Sequence, residues 1–366
     1  MSKIFTINPG STSTKIALFE DGNTIFSANV NHDAEKLNSF VDISDQLPYR
    51  KETILQLLKE NNISLENTDA FVGRGGGLFA LEGGTYAIDD ILLEHARIGA
   101  NGIVHPAQLG SQLANELCLE YGGQCFVVNP PDVDEYEEVA RVTGSKDIVR
   151  KSHVHALNQK ETAIRHADNL GKKYTDCNFI VCHVGGGISV AAHKHGRMID
   201  ANDNVEGEGA MAPTRIGPVP ALPLIKLCYS GKYTEKEMLS KCTRNGGFVD
   251  HLGTSDALEV FNRGQAGDKK AKLLWDAMVY QVIKCIGSMA TVLHGDVDGI
   301  LVTGGISHNK NMVAQIDEAC SFIAPITAYP GEFEMEAMAN GAQRVLSGLE
   351  EVKHYSGKPV HSDLFE

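Results

Sequence analysis

The chain of 366 residues has no apolar run long enough to span a bilayer, and Met1 to Ser11 lacks the charged-then-apolar plan of a secretory leader. The expectation is a cytoplasmic protein with no membrane contact. Positive charge is in short supply. Lys and Arg number 33 against 47 Asp and Glu, and the formal charge of −14 argues against nucleic acid or an acidic membrane as partner. The eight cysteines stand singly, with no paired spacing for a metal, as in a reducing compartment where most serve as small buried hydrophobes. Gly-Lys-Ser and Gly-Lys-Thr do not occur, which excludes a Walker loop. His-Arg-Asp and Asp-Phe-Gly are missing, which excludes the protein-kinase plan.

Glycine, by contrast, is abundant and placed at strand ends. Phe179 to Val184 reads as an apolar strand, Gly185-Gly186-Gly187 as a turn, and Ile188 to Ala192 as a second strand. Because these glycines lead into a strand and not a helix, they are no dinucleotide fingerprint. Successive glycines let backbone N–H groups approach a ligand closely, which suits phosphate oxygens. The same plan opens the chain: Lys3 to Ile7 leads into Asn8-Pro9-Gly10-Ser11-Thr12-Ser13-Thr14, and Lys15 to Phe19 leads out. A third apolar strand, Gly299 to Thr303, runs into Gly304-Gly305-Ile306. Two strand–loop–strand hairpins half a chain apart suggest a duplicated architecture.

Between these lie helices expected over Leu47–Asn61, from His105-Pro106 to Gly122, over His153–Tyr174, over Lys269–His294 with the single tryptophan Trp275, over Asn311–Phe322 and over Glu334–Gly348. A buried strand, Ala70–Gly73, ends in Arg74-Gly75-Gly76-Gly77, and Asn202–Pro223 reads as a long ordered loop lining a site. Strands alternating with helices make the class α/β. If His153 and His155 share a helix they point about 200° apart, which speaks against a shared metal.

The three glycine elements, in order, resemble those of the acetokinase family, within the superfamily of acetate and sugar kinases, Hsp70 and actin. Ile7 to Lys15 is similar to the family's first phosphate motif, Cys182 to Gly187 to its second, and Val302 to Ile306 to its adenosine motif. The match is nearest to the butyrate-phosphorylating branch, through Asn129 to Glu135, His155 to Lys160 and Pro213 to Pro218. The resemblance implies two actin-like (ribonuclease-H-like) domains flanking a nucleotide cleft, residues 1–150 with 344–366 and residues 151–343. It implies phosphorylation of a short-chain carboxylate by ATP with Mg²⁺, giving an acyl phosphate and ADP. Butyrate is the first expectation, acetate or propionate the next, and a non-catalytic nucleotide-binding protein the rival from another class. A homo-oligomer, dimer or higher, is expected.

The resemblance also assigns residues. Arg74, Arg215 and His155 become catalytic candidates. Asn8, Ser11, Ser13 and Lys15 fall to the nucleotide in the first motif, His183 with Gly185, Gly186 and Gly187 in the second, and Gly304, Gly305 and Asn309 in the third. Gly76 and His105 are candidates for the acid, and Glu334 for the metal, with Glu336 close in register. One departure stands out: where acetate-phosphorylating members carry an active-site aspartate, this chain has Asn129. Asp132 or Asp134 could supply the charge, or the role is vacant.

Overall fold

A computed structural model describes residues 2–361; Met1 and residues 362–366, the end of the expected tail, lie outside it. The chain forms two compact units, Met1–Asp134 with Phe333–Glu366, and Glu135–Glu332. The crossings lie earlier than the 150/151 and 343/344 boundaries expected from sequence, and side-chain bonding explains why. Glu135 accepts hydrogen bonds from Met198 N at 2.8 Å and Lys160 Nζ at 3.0 Å. Arg150 donates to Asp200 at 3.0 Å and to Glu208 at 2.9 Å. Residues 135–150 are therefore tied to the second unit.

The first unit is built on six strands: β1 (Lys3–Pro9), β2 (Ser13–Glu20), β3 (Asn23–Asn31), β4 (Ala70–Gly73), β5 (Thr85–Ala87) and β6 (Gln124–Val128). Their order is β3-β2-β1-β4-β6-β5. The second unit has β7 (Asn178–Val184), β8 (Ile188–Lys194), β9 (Arg197–Ala201), β10 (Gly299–Gly304) and β11 (Ile326–Pro330) in the order β11-β10-β7-β8-β9. In each sheet an antiparallel three-strand meander continues into parallel strands beyond its first member. The duplication read from the two hairpins is thus a duplication of topology. The glycine-rich turns sit at the tip of each first hairpin, where Asn8 faces Lys15 in one register and His183 faces Ser189 in the other.

Burial follows from this order. Every residue of β7 is buried, as expected for an apolar strand paired on both sides and covered by helices. The helix Lys269–Val292 lays Met278, Val282, Ile286 and Met289 against that sheet at helical spacing, with Trp275 buried against Phe261. In the first unit the helix Glu334–Leu346 packs on β1, β4 and β6, with Gly341 pressed against Val128.

The helix expected from His153 runs only from Ala156 to Asn169, since His155 leaves the helical region at φ −79°, ψ 58°. Helices at Asp90–Ile98, Glu235–Thr243 and Ala257–Gln265 add to those expected from sequence; each begins at a capping side chain, Asp89, Thr234 or Asp256.

Gly73, at the end of β4, abuts Gly110 in the helix Leu109–Tyr121. A Cβ on Gly110 would lie 2.6 Å from Arg74 N, and one on Gly73 would lie 2.1 Å from Gly110 O. This backbone-to-backbone contact sets where Arg74 leaves the sheet. Gly110→Ala is expected to destabilise the protein by about 1–3 kcal/mol through overpacking, read as a lowered urea midpoint with an unchanged slope.

Candidate active site

The first loop is braced from behind by a fully buried arginine. Arg50, on the helix Leu47–Glu60, donates to Thr14 Oγ1 at 3.0 Å, Ser13 O at 3.3 Å and Ser11 O at 3.4 Å, with Gln46 Oε1 taking Nε–H at 3.0 Å. It has no carboxylate partner among the described residues, and burial lowers its pKa to about 10. Turning these acceptors inward leaves the tip of the hairpin to solvent, where Ser11 and Lys15 are exposed and Ser13 is half-buried. Thr14 Oγ1 also meets His32 Nε2 at 2.8 Å. Burial first, and the Arg50 charge second, pull the His32 pKa down from 6.5 to about 4.

Beside this loop Glu334 joins two of the candidates. One carboxylate oxygen accepts from Asn8 Nδ2 at 2.7 Å and the other faces Arg74 Nε at 3.7 Å. Arg74 is buried, and it donates to Asn129 O at 3.4 Å. Asn129 itself is a turn residue, with φ +38° and its side-chain oxygen accepting from Gly84 N at 2.8 Å. Asp132 accepts from Asn101 Nδ2 at 2.7 Å and Leu78 N at 3.2 Å, and Asp134 faces His361 at 3.9 Å. These bonds tie Asp132 to the glycine turn. Glu334 is the acid beside Arg74.

Gly75, Gly76 and Gly77 all have positive φ, +72°, +137° and +77°. The backbone itself therefore requires glycine here, and the triplet is not by itself a sign of a widened pocket. Gly76 is buried, with Gln108 N and Pro131 Cγ just under 4 Å from where a Cβ would stand. His105 caps the short helix beginning at Pro106, its Nδ1 accepting from Ala107 N at 3.1 Å.

In the second unit the candidates gather on the other glycine loop. Arg215 lies across Gly187 so closely that a Cβ there would fall 1.4 Å from Nη1. Among the described residues the guanidinium's hydrogen-bonded partner is Asn204 Oδ1 at 2.9 Å and Nε is buried without one; burial lowers the pKa, opposed by the Asp203 charge. Thr214 Oγ1 donates to Gly186 O at 3.0 Å. His155 and His183 stack face to face, centroids 3.6 Å apart and planes within 7°. His183 Nε2 stands 3.5 Å from Glu332 Oε1, and Asn204 Nδ2 reaches His155 Nε2 at 3.4 Å. Neither Asn204 nor Glu332 carries a sequence motif; only their position in the fold marks them.

The third element adjoins the second. Gly304 has φ +91° and exchanges two backbone hydrogen bonds with Gly331, and a Cβ on it would strike Val184 O at 2.5 Å. Gly305 follows at an exposed turn. Asn309 caps the helix Lys310–Cys320, accepting from Asn311 N and Met312 N.

His153 precedes the helix, which begins three residues later at Ala156, so a helical separation from His155 does not apply there. His153 Nδ1 instead pairs with buried Asp203 Oδ2 at 2.6 Å, and Glu206 brings a third ligand-type atom within 4.8 Å. Burial is the largest single influence and opposes the charged ring, but the bond to Asp203 together with the Asp203 and Glu206 charges raises the pKa. Asp203 Oδ1 is already engaged by Val205 N and Glu206 N, which marks an ion pair holding the loop.

Two outcomes follow from this geometry. Gly187→Ala should displace Arg215 and cost about 1–3 kcal/mol through overpacking, with the loss measured by urea denaturation. His32 stays neutral to about pH 4 while the unfolded chain protonates near 6.5, so the unfolded state binds more protons between these values. Its contribution is present above pH 6.5 and lost as pH falls toward 4, up to about 3 kcal/mol. His32→Gln should remove that part of the acid loss of stability, seen by comparing urea midpoints of the two proteins at neutral and acid pH.

Residues 130–325 match the sequence profile of the Acetokinase family. Butyrate kinase 2 of Clostridium acetobutylicum is 49% identical over 353 residues, 96% of this chain and 99% of the relative. Butyrate kinase 1 of the same organism is 45% identical, with 97% and 100% covered. The crystal structure of acetate kinase from Porphyromonas gingivalis superposes with a TM-score of 0.77 at 20% identity, covering 94% of this chain and all of that one. The fold is accordingly the actin-like α/β fold of that structure. Among the described residues no helix is long and apolar enough to cross a membrane.

Proposed function

The chain belongs to the acetokinase family, and from that premise we propose that it transfers the γ-phosphoryl group of ATP to a short-chain carboxylate, with butyrate preferred, giving butyryl phosphate and ADP. The observation that carries the reading is Arg215, a half-buried guanidinium over a glycine loop whose side-chain partner among the described residues is an amide. A cation held in this way is suited to an incoming anion, and its planar fork matches phosphate or carboxylate.

The chemistry asks little of a base. A short carboxylic acid is ionised at neutral pH and is itself the nucleophile. The demand is for positive charge that draws two anions together and spreads over the equatorial oxygens of the moving phosphoryl group. Arg215 serves the phosphoryl group and Arg74 the carboxylate. His155 and His183 donate hydrogen bonds to phosphoryl oxygens. Backbone N–H groups of Gly185–Gly187, and the hydroxyls of Ser11 and Ser13 with Asn8 and Lys15, hold the phosphates. Gly304, Gly305 and Asn309 border the adenosine, and the Gly76 turn with His105 borders the acyl chain.

Mg²⁺ usually takes one or two carboxylates and keeps much of its water. Glu334, a half-buried carboxylate bonded to Asn8 of the first loop, fits that mode and would hold the ion. When bound, Mg²⁺ supplies charge neutralisation of the phosphates.

Butyrate carries two more methylenes than acetate, worth about 1.6 kcal/mol when buried, or about 15-fold in kcat/KM. The φ of +137° at Gly76 bars a β-branched substitution, so the preference is measured on the unmodified protein. An acyl-hydroxamate assay with ATP and acetate, propionate, butyrate, isobutyrate and valerate should rank butyrate first; acetate in first place overturns the acid assignment. Arg74→Ala and Arg215→Ala should each lower kcat by about 10²–10³ with the fold retained by circular dichroism. Turnover near wild type in Arg215→Ala would remove the central role given to that residue.

A further inference from the structure

The first loop is held by a charge that its hydrogen bonds do not need. Arg50, on the helix Leu47–Glu60, is fully buried, and its fork reaches two carbonyls and a hydroxyl of the Asn8–Thr14 loop and the amide of Gln46. All four acceptors are neutral, and a neutral donor would satisfy them without the cost of taking a cation out of water. The side chains around the guanidinium are uncharged at neutral pH as well. His32, bonded to the same Thr14 hydroxyl, stays unprotonated to about pH 4, and its ring packs on the Tyr49 phenol at 5.5 Å. Burial lowers the Arg50 pKa only to about 10, so the group is a cation at neutral pH. Among the described residues it has no carboxylate partner.

The guanidinium also gives the loop a direction. In a trans peptide the C=O and the N–H point opposite ways, and the chain has no cis bond. The bond from Nη2 to Ser11 O at 3.4 Å therefore turns the N–H of Thr12 away from Arg50, at a tip where Ser11 and Thr12 are exposed. That N–H has no backbone partner among the described residues. A desolvated charge is screened little, so its field acts across the loop. His32 registers it: after burial, the Arg50 charge is the next influence lowering the pKa of that ring.

We propose that Arg50 is a positioning residue for the nucleotide: from behind the Asn8–Thr14 loop it aims a backbone donor outward and lends the loop an uncompensated positive charge, which phosphates neutralise on binding. The inference rests on the reading of this loop as a phosphate site and names the buried group that gives the loop its affinity. Arg50 acts through the loop and does not touch the ligand.

The test compensates the charge and keeps the brace. Gln46→Glu retains an oxygen acceptor for Nε–H, now 3.0 Å away in the wild type, and makes it a carboxylate, which the arginine keeps ionised. Gln46→Met removes the acceptor and leaves the charge. ADP binding to the full chain is measured by calorimetry at neutral pH, and stability by the urea midpoint. A unit charge about 10 Å from a phosphate, at an effective dielectric of ~20, changes affinity roughly tenfold. Gln46→Glu should therefore weaken ADP binding about tenfold, with a urea midpoint equal to wild type or higher. Gln46→Met should lower the midpoint and leave ADP affinity unchanged. A residue that only braces the loop predicts the reverse order of affinities.

Gln46→Glu protein that binds ADP as wild type does, or that loses affinity only together with stability, overturns the proposal. So does Gln46→Met protein that binds ADP more weakly than Gln46→Glu. Arg50→Gln removes the charge outright and, folded, should show the same loss; folded with wild-type affinity, it overturns the proposal. If Arg50→Gln does not fold, the Gln46 pair decides alone. Wild-type protein that binds no ADP sinks the phosphate reading itself, whereas wild-type binding with an indifferent Gln46→Glu sinks this inference only.

Discussion

A guanidinium with no salt-bridged carboxylate among the described residues stands at each of the two loops on which this protein depends. Arg50 is fully buried behind the Asn8–Thr14 loop and spends its donors on two carbonyls, a hydroxyl and an amide. Arg215 lies over Gly187 with one amide partner and an unpartnered buried Nε. Removing a charge from water without a counter-ion is costly, and such a charge persists where the fold over-determines it. Both cations raise the local potential at loops in a chain whose formal charge is −14. Positive potential at these loops is thus a local property, set by desolvated arginines against an acidic background.

The missing Cβ is the steric counterpart of that electrostatic arrangement. Gly187 lets Arg215 lie on the loop backbone, and Gly304 lets β10 meet Val184 of β7. Gly73 and Gly110 bring β4 and its covering helix into contact at the residue before Arg74. In each case one side chain's worth of volume has been removed where a charged group or a loop must be placed. The Gly75–Gly77 turn shows the limit of reading such glycines as pocket space, since positive φ alone accounts for all three.

The duplicated topology places different chemistry on equivalent hairpins. At the tip of β1 and β2 the turn carries small hydroxyls and an exposed lysine, with Glu334 and Arg74 alongside. At the tip of β7 and β8 it carries three glycines, an arginine and the stacked histidines. The second site depends on neighbours far apart in sequence: Ser189 comes from β8, Thr303 from β10, and Asn158 and Gln159 from the helix beneath.

The sequence by itself determined the α/β class, the two hairpins, the order of the three glycine elements and the long core helix, because each is written in local periodicity and in glycine at strand ends. It also marked Arg74, Arg215, His155 and His183, through motifs a few residues long. Only the tertiary structure decided that the crossings between units fall at Asp134 and Glu332, since the ties of Glu135 and Arg150 reach residues far along the chain. It alone revealed Arg50 behind the first loop, Asn204 and Glu332 beside the second, and the start of a helix at Ala156 instead of His153. Periodicity records which face of an element is buried; the direction of a hydrogen bond is set by partners that meet only when the chain has folded.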